Sequence, residues 1–372
     1  MQKKLIALAV AGLVSGGAFA QSNVTLSGQV KTSFESASGG GCSAAGCVNP
    51  VTRTRVNDQT SSLKFVAEES LGGGMKAGAQ IEMDMFADTV GTSNTAAVSG
   101  ARNTAVYVEG AWGRVLMGRW DAHYTSHAAV DLTGLGDNPL HMNSLSIIGS
   151  NNSVAGTFAG GRLGNVLAYI SPNFNGLSAL LAYAAGSEST SSAVAGGTKG
   201  SGWVFNPSYT NGPIAVTYSY LSGTGDAAAG VTASKQRADR LGAAYTFPMG
   251  VKVGLIWDKN RVNAAGAGDS SRTAWSLPIS YKTGAHTISL TLGKANSNSG
   301  TVIVGATNDS TGASFAALGW NYALSKRTGV NLNYAQLNNQ TNATYDFWTR
   351  GVGNVVAGVD PRIVSVGLRH TF

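Results

Sequence analysis

Charged side chains are scarce in this chain. Lysine, arginine, aspartate and glutamate make up 12% of its 372 residues, whereas an ordinary globular domain carries about 25%. Long apolar runs are also missing, because no segment after the N-terminal region approaches the ~18 consecutive apolar residues that indicate a membrane-spanning helix. The first absence disfavours an ordinary soluble surface, and the second excludes a helical membrane protein.

Cysteine is nearly absent as well. The two cysteines, Cys42 and Cys47, lie close together in a stretch rich in glycine and alanine. Without nearby histidines they make a poor zinc site, and an exported chain meets an oxidising compartment. We predict a disulfide that holds a loop, with a free thiol pair as the alternative.

Motifs of catalysis and nucleotide binding are missing too. The chain has no Gly-x-Ser-x-Gly elbow, no Walker loop and no dinucleotide fingerprint opening a helix. Its basic residues form no run interleaved with aromatics, so nucleic-acid binding has no support. His123 and His127 are four residues apart, but polar loop histidines are a better interpretation than a metal site. We therefore expect no enzyme, metal or cofactor.

The N-terminus is typical of an export signal. Lys3 and Lys4 precede an apolar stretch over residues 5–14, and Ala18-Phe19-Ala20 matches a small-residue cleavage site. The stretch is shorter than the ~20 residues of a membrane-spanning helix. We predict that residues 1–20 are a signal peptide cleaved after Ala20, with a retained anchor as the alternative. Residues 21–372 then form the folded domain.

Alternation of apolar and polar residues dominates the rest of the chain. In 76–85, for example, the odd-numbered residues are apolar and the even-numbered ones are polar or glycine, which is typical of a two-faced strand. We predict sixteen such strands, near 24–36, 60–70, 75–87, 102–110, 114–120, 164–172, 177–185, 202–211, 213–222, 237–247, 250–259, 271–282, 285–295, 313–324, 327–337 and 362–372.

The connections between these strands alternate in length. Seven short turns and eight long loops separate the sixteen strands, which is the asymmetry of outer-membrane barrels. The small polar residues of one face suit a wet lumen, and a barrel of this size is too wide for side chains to fill. The pattern predicts an all-β fold, a 16-stranded antiparallel transmembrane β-barrel. A secreted soluble β-protein such as a lectin is a weaker alternative.

Several segments resemble one known family. The matching segments are Asn23–Gly28, Ser61–Phe65, Arg102–Arg119, Tyr322–Thr328 and Val366–Phe372. They resemble the general trimeric porins of Gram-negative outer membranes, particularly the β-proteobacterial type. The resemblance implies a homotrimer in contact with outer-membrane lipid and lipopolysaccharide, and a water-filled channel for passive diffusion of small hydrophilic solutes and ions. The terminal Phe372 resembles the signal read by the barrel-assembly machinery.

The family's third long loop folds into the barrel as a constriction loop. Here that loop corresponds to 121–163, the longest connection in the chain. The resemblance implies acidic residues on the loop and basic residues on the facing wall; the candidates are Asp121, Asp131, Asp137, Lys64, Arg102 and Arg119. Opposed charges of this kind set a transverse field that filters solutes.

The wall departs from the family at two positions. Ser62 and Val66 stand where basic residues are usual. Arg102 and Arg119 share parity with apolar neighbours, so simple alternation points them outward unless a bulge intervenes. The net charge of +7, or +5 without Lys3 and Lys4, favours a weak preference for anions. The alternative functions are a substrate-selective outer-membrane channel and a surface-binding barrel, such as an adhesin or phage receptor.

Overall fold

The computed structural model describes residues 23–42, 48–88, 98–131, 138–149, 161–186, 196–264, 268–301, 307–348 and 351–372. The predicted signal peptide, residues 1–20, lies outside the described residues. So does Cys47, and the disulfide with Cys42 therefore stays a prediction.

The described residues form nineteen strands in one antiparallel sheet. In chain order they are β1 (Asn23–Gly40), β2 (Arg53–Asp58), β3 (Ser61–Gly72), β4 (Met75–Met85), β5 (Val98–Ala101), β6 (Thr104–Gly110), β7 (Gly113–Trp120), β8 (Leu163–Ile170), β9 (Leu177–Ala184), β10 (Ser201–Asn211), β11 (Ile214–Thr224), β12 (Lys235–Thr246), β13 (Val251–Asn263), β14 (Asp269–Thr283), β15 (His286–Ala295), β16 (Ser299–Gly300), β17 (Ala313–Ala323), β18 (Thr328–Asn339) and β19 (Asp360–Thr371). β1 pairs with β19 on one side and with β2 and β3 on the other. The sheet therefore closes on itself as a barrel.

Three of the nineteen strands are short pieces. β2 and β3 form one wall segment interrupted at Gln59 and Thr60, and β5 and β6 form another interrupted at Arg102 and Asn103. β16 has two residues and pairs with the start of β14. Counting each interrupted pair once and omitting β16 leaves sixteen wall strands. The predicted 16-stranded antiparallel barrel is confirmed.

The break between β2 and β3 has a local cause. Thr60 has φ +69°, outside the strand region. The Asp58 carboxylate accepts hydrogen bonds from the backbone N–H groups of Thr60 at 3.0 Å and Ser61 at 3.2 Å. These short-range bonds replace rungs of the β-ladder. The strand predicted near 60–70 begins at this break, so the prediction contains β3 and omits β2.

The two faces of the wall differ in polarity. Large apolar residues on neighbouring strands are half exposed, among them Leu318, Leu332 and Val366. Between them on the other face lie the buried polar residues Asn333 and Ser365, which are opposite one another in the register. An apolar face of this extent faces lipid in a closed barrel, and the polar face lines the interior.

The two ends of the barrel also differ. β3 and β4 are joined by a turn in which Gly72, Gly73 and Gly74 all have positive φ, at +80°, +59° and +79°. Three consecutive residues in this region require glycine, because a Cβ would be strained there. The connections at the opposite end are long, as between β11 and β12. Long loops mark the external side of outer-membrane barrels, which orients the molecule.

Short helical turns occur in the connection between β7 and β8. They are two 3-10 turns, His123–Thr125 and Leu140–Met142, and one α-helical turn, Leu145–Ile148. Within the described residues, no helix is both long and apolar enough to cross a lipid bilayer.

Candidate pore constriction

The connection between β7 and β8 packs against the inner face of the wall. His123 Nδ1 lies 2.8 Å from Ser219 Oγ of β11. Ser144 Oγ lies 2.7 Å from Ser276 Oγ of β14, and Ser365 Oγ of β19 lies 3.2 Å from a ring nitrogen of His141. The three wall serines alternate with the exposed apolar residues, so they belong to the polar face. We call the described residues 121–131 and 138–149 the inner loop.

Glycines on the wall make room for the inner loop. A Cβ at Gly293 of β15 would lie 2.6 Å from Ile147, and one at Gly319 of β17 would lie 2.8 Å from the Met142 sulfur. Val130 packs in the same way against two glycines. A Cβ at Gly242 of β12 would lie 3.0 Å from Val130, and one at Gly254 of β13 would lie 2.9 Å from it. Separations below about 3 Å exclude any larger side chain without movement of the loop. Part of the glycine abundance therefore serves loop packing as well as turns.

Two buried arginines attach the inner loop to the wall. Arg272 of β14 donates to the backbone oxygens of Ile147 at 3.2 Å and Ile148 at 2.8 Å. Arg240 of β12 donates to the backbone oxygen of Tyr124 at 3.0 Å. Asp258 of β13 lies between them, at 2.9 Å from Arg240 and 3.3 Å from Arg272.

The Asp258 carboxylate neutralises part of the positive charge of Arg240 and Arg272. Burying that charge without an anion would destabilise the fold. The Arg240 and Asp258 side chains are 1% and 0% exposed, and Arg272 is 0% exposed. Unpaired charges at such depth cost several kcal/mol, roughly. Alternation places all three residues on the inward face of neighbouring strands, and this pattern could have identified the cluster. The resemblance to the family points to a different wall and therefore misses it.

Histidines of the inner loop are buried and held neutral. Arg240 donates toward His127 Nδ1 at 3.4 Å, and His127 Nε2 lies 3.3 Å from Asn143 Oδ1. The N–H of Leu145 also bonds that oxygen, at 2.8 Å, which identifies it as the acceptor. His127 therefore carries its proton on Nε2 and accepts on Nδ1. Burial, then the Arg240 charge, lowers the pKa of His127 to about 4.

His123 and His141 follow the same rule. Burial, with Arg240 as the next cause, lowers the pKa of His123. Burial, then the charges of Lys31 and Arg55, lowers the pKa of His141 to about 3. In the described part of the chain, these histidines belong to no group of three or more histidine, cysteine, aspartate or glutamate side chains that could bind a metal ion. Their contacts include serine, asparagine and arginine of the loop and wall, and His123 Nε2 lies 3.9 Å from the Asp258 carboxylate.

The wall of β3 and β4 carries partly exposed charge on its inner face. Lys64 lies opposite Glu82 in the register of these strands. Arg102 bonds the carboxylates of Glu82 at 2.7 Å and Asp84 at 2.8 Å. Arg102 turns inward because the chain breaks between β5 and β6, where its backbone N–H bonds the oxygen of Glu82 at 2.8 Å. The strand is therefore interrupted at Arg102, which is the kind of irregularity that an inward Arg102 requires.

The two ends of the connection between β7 and β8 form an ion pair with each other. Arg162 lies 2.9 Å from Asp121, and Asn103 of the wall donates to the same carboxylate at 2.8 Å. Tyr124 donates to Asp121 at 2.6 Å. The cation that pairs with Asp121 is therefore Arg162, which is not among the six predicted candidates. Arg162 follows glycines in a weakly patterned segment, which gave no signal.

The remaining candidates occupy different places. Asp131 is fully buried, and its carboxylate accepts from the Ser144 backbone N–H at 2.9 Å. Asp137 lies outside the described residues. Arg119 is exposed and has the parity of Val115 and Met117, which belong to the apolar outer face. The structure therefore brings Lys64 and Arg102 together, whereas the roles of all six candidates in ion selectivity stay predictions.

A closed barrel with an apolar outer face, a polar inner face and a loop packed within it defines a transmembrane channel protein. The chain belongs to the Gram-negative porin family, whose sequence profile matches residues 7–342. It is accordingly an outer-membrane channel for passive diffusion, as predicted.

Individual relatives agree with this family assignment. Outer membrane porin protein 32 of Delftia acidovorans is 31% identical over 391 residues, with full coverage of both chains. Among solved structures, the anion-selective porin from Comamonas acidovorans is 26% identical, with a TM-score of 0.70 over 95% of this chain and 100% of that one. OmpT of Vibrio cholerae in its trimer form has a TM-score of 0.66 at 11% identity, over 94% and 99% of the two chains, and shows the fold alone. The resemblance to β-proteobacterial porins is confirmed.

Proposed function

We propose that this porin forms a pore with a weak preference for anions, narrowed by the inner loop against the wall of β3 and β4. The observation that carries the proposal is that the described middle of the loop packs against the wall of β11–β19 and reaches the other side only at Gln59, before β3. The loop bonds to the inner face of β11, β14 and β19. Lys64, Glu82 and Arg102 remain partly exposed on the other wall. Water and solutes pass between the loop and these three side chains.

Two further observations support the preference for anions. Arg369 of β19 adds a further cation to this side of the pore. It donates to Gln29 at 2.9 Å and lines the same cavity as Lys64 and Glu82. The similar porin from Comamonas acidovorans is described as anion-selective. The preference is weak in this proposal because Glu82 and Asp84 offset the charge of Arg102.

Current recorded across a planar bilayer tests both parts of the proposal. The purified protein should give stepwise conductance, and a salt gradient should give a reversal potential of the sign expected for anions. A reversal potential of the opposite sign would overturn the ion preference. A closed barrel without steps would overturn the open passage.

We also propose that the protein assembles as a homotrimer. The outer face of β3, β4 and β6 forms a mainly apolar hollow, in which the small side chains of Ala67, Ala77 and Ala79 lie beside larger ones such as Val106 and Met117. Close approach of a second barrel needs small residues of this kind. Mass measurement of the detergent-solubilised protein tests the assembly, and a single-chain mass would contradict it.

The chain terminus supports the proposed recognition by the barrel-assembly machinery. Phe372 exchanges two backbone hydrogen bonds with Gly28 of β1, at 3.0 and 3.1 Å. A Cβ at position 28 would lie 2.7 Å from the Phe372 ring. The last residue therefore completes the seam of the barrel. Deletion of Phe372 should reduce the yield of assembled protein in cells, and an unchanged yield would contradict the recognition.

A further inference from the structure

A small cavity opens on the inner face of the wall, where the last strand β19 pairs with the first strand β1. Its volume is about 220 Å³. We call it the seam cavity, and its lining includes Ser27, Gln29, Ser62, Lys64, Glu82 and Arg369. Residues from both ends of the chain meet here, so the cavity exists only in the closed barrel.

The seam cavity lies on the short-turn side of the inner loop. At this part of the wall the inner loop contacts Ser365 of β19 at 3.2 Å and Gln59 at 2.8 Å. Arg369 follows Ser365 by four residues and Lys64 follows Gln59 by five, in both cases toward the short-turn end. At about 3.4 Å per residue, Arg369 lies roughly 14 Å beyond the loop contact. A solute that has passed the inner loop therefore meets the seam cavity next.

Three donors of the seam cavity are unoccupied. Within the described residues, the Ser27 and Ser62 hydroxyls and the Lys64 ammonium group form no hydrogen bond or ion pair. Lys64 lies opposite both Ser27 and Glu82 in the register. The Glu82 carboxylate instead accepts from Arg102 at 2.7 Å and from a backbone N–H at 3.3 Å. Open donors around one cavity indicate a polar ligand with acceptor atoms.

The charge of the seam cavity favours an anion of low charge. Arg369 donates from Nε to the Gln29 side chain at 2.9 Å, which holds the guanidinium group beside the cavity. Lys64 and Arg369 supply two positive charges and Glu82 supplies one negative charge, so the lining carries a net charge of +1. One carboxylate balances this charge. A dianion would bring its second charge against Glu82.

We propose that the seam cavity binds small monocarboxylates that carry a hydroxyl group next to the carboxylate. Lys64 and Arg369 hold the carboxylate through charge-assisted hydrogen bonds. Ser27 and Ser62 bond the solute hydroxyl, because a serine hydroxyl can both donate and accept. Cavities for drug-sized ligands begin at about 300 Å³, so the seam cavity fits a smaller solute of a few carbon atoms. This binding rests on the proposed preference for anions, to which it adds a solute class.

Weak binding is what a passage requires of such a site. A site along a pore must attract the solute and then release it. We therefore expect a dissociation constant on the order of 1–10 mM, which is enough to favour one solute class without closing the pore to it.

Titration of the single-channel current tests the proposal. The full chain is held in a planar bilayer in potassium chloride, and L-lactate is added in steps. Bound lactate competes with chloride, so the current should fall in a saturable way that gives a dissociation constant. Propionate lacks the hydroxyl and should bind about fivefold more weakly. Neutral lactamide should have no saturable effect.

Removal of two hydroxyls separates specific binding from general attraction by charge. Ser27→Ala/Ser62→Ala keeps the net charge, and it should weaken lactate binding about fivefold, to the level of propionate in wild type. The matched control is Ser178→Ala/Ser208→Ala, which removes two hydroxyls that lie 3.0 Å apart on β9 and β10, outside the seam cavity. Lactate binding in this control should stay within about twofold of wild type.

Removal of the guanidinium group should have the larger effect. Arg369→Gln should weaken lactate and propionate alike, by about thirtyfold, because both acids present the same carboxylate. If this variant fails to assemble, the serine double variant still decides the question.

Several results would overturn the proposal. They are a lactate titration without saturation in wild type, equal binding of lactate and propionate, and wild-type lactate affinity in Ser27→Ala/Ser62→Ala. The reversal potential in potassium chloride, recorded on the same channels, separates this proposal from the proposed function. A preference for cations would contradict the proposed function, whereas a preference for anions without lactate saturation would remove only the seam cavity as a binding site.

Discussion

The inner wall of this porin has two contrasting parts. The covered sector, the inner face of β11–β15 and β17–β19, is buried under the inner loop, and its ionic cluster of Arg240, Asp258 and Arg272 has at most 1% exposure. The open sector, the inner face of β3 and β4 together with Arg102 between β5 and β6, keeps its charges partly in water: Arg102 is 16% and Asp84 34% exposed.

The same residue types serve different ends in the two sectors. In the covered sector water is excluded, so each charge must be bonded to a partner and the contacts fix the loop. In the open sector water screens the pairs, which are individually weak but remain available to a passing ion. Position in the barrel, and not residue type, decides whether an arginine is structural or lies along the path of ions.

The largest difference between the sectors should follow removal of the buried carboxylate. Asp258→Asn leaves Arg240 and Arg272 without their anion, and we expect a loss of about 3–5 kcal/mol in the free energy of unfolding. Urea unfolding from lipid bilayers measures it. The matched control is Asp239→Asn on the outer face, where the pair with Arg261 is partly exposed and about 0–1 kcal/mol is expected. Equal losses in both variants would contradict the contrast.

A smaller loss of stability is expected when a glycine that contacts the inner loop is replaced by a larger residue. Gly293→Leu places a side chain where Ile147 now lies, and overpacking of this kind costs about 1–3 kcal/mol. The displaced loop should also change the single-channel conductance. Gly164→Leu is the control, because a Cβ at that position meets no atom within 4 Å. A Gly293→Leu protein with wild-type stability and conductance would show that the loop is not seated there.

Acid should weaken the covered sector before the open one. The pKa values of His127 and His141 are lowered to about 4 and about 3, below the ordinary value of about 6.5. The undocked loop therefore binds protons more readily than the docked loop. Docking is at full strength above about pH 6.5 and weakens progressively as the pH falls toward these lowered values.

Current fluctuations recorded between pH 7 and pH 4 measure this weakening. Fluctuations should increase in wild type and increase less in His141→Asn, which cannot take up the proton. Identical pH profiles of the two proteins would remove His141 from the explanation.

The smallest expected effect concerns ion preference in the open sector. Lys64→Gln removes a cation next to the pore, so the reversal potential in a salt gradient should shift toward cations by a measurable amount. Arg119→Gln removes the same charge from the apolar outer face and should leave the potential unchanged. A shift of equal size in both variants would mean that Arg119 reaches the pore, as the family resemblance implies.

The sequence by itself determined the class of the fold. Alternation with period two, short and long connections in turn and scarce charge identified sixteen strands in a membrane barrel, because each of these features is local in the chain. Only the tertiary structure determined which residues meet at the candidate constriction. The break at Arg102, the pairing of Arg162 with Asp121 and the meeting of Arg240 with the loop carbonyls join segments up to 117 residues apart. Such contacts depend on barrel closure and on where the loop lies inside it, and a residue's neighbours in sequence carry no record of either.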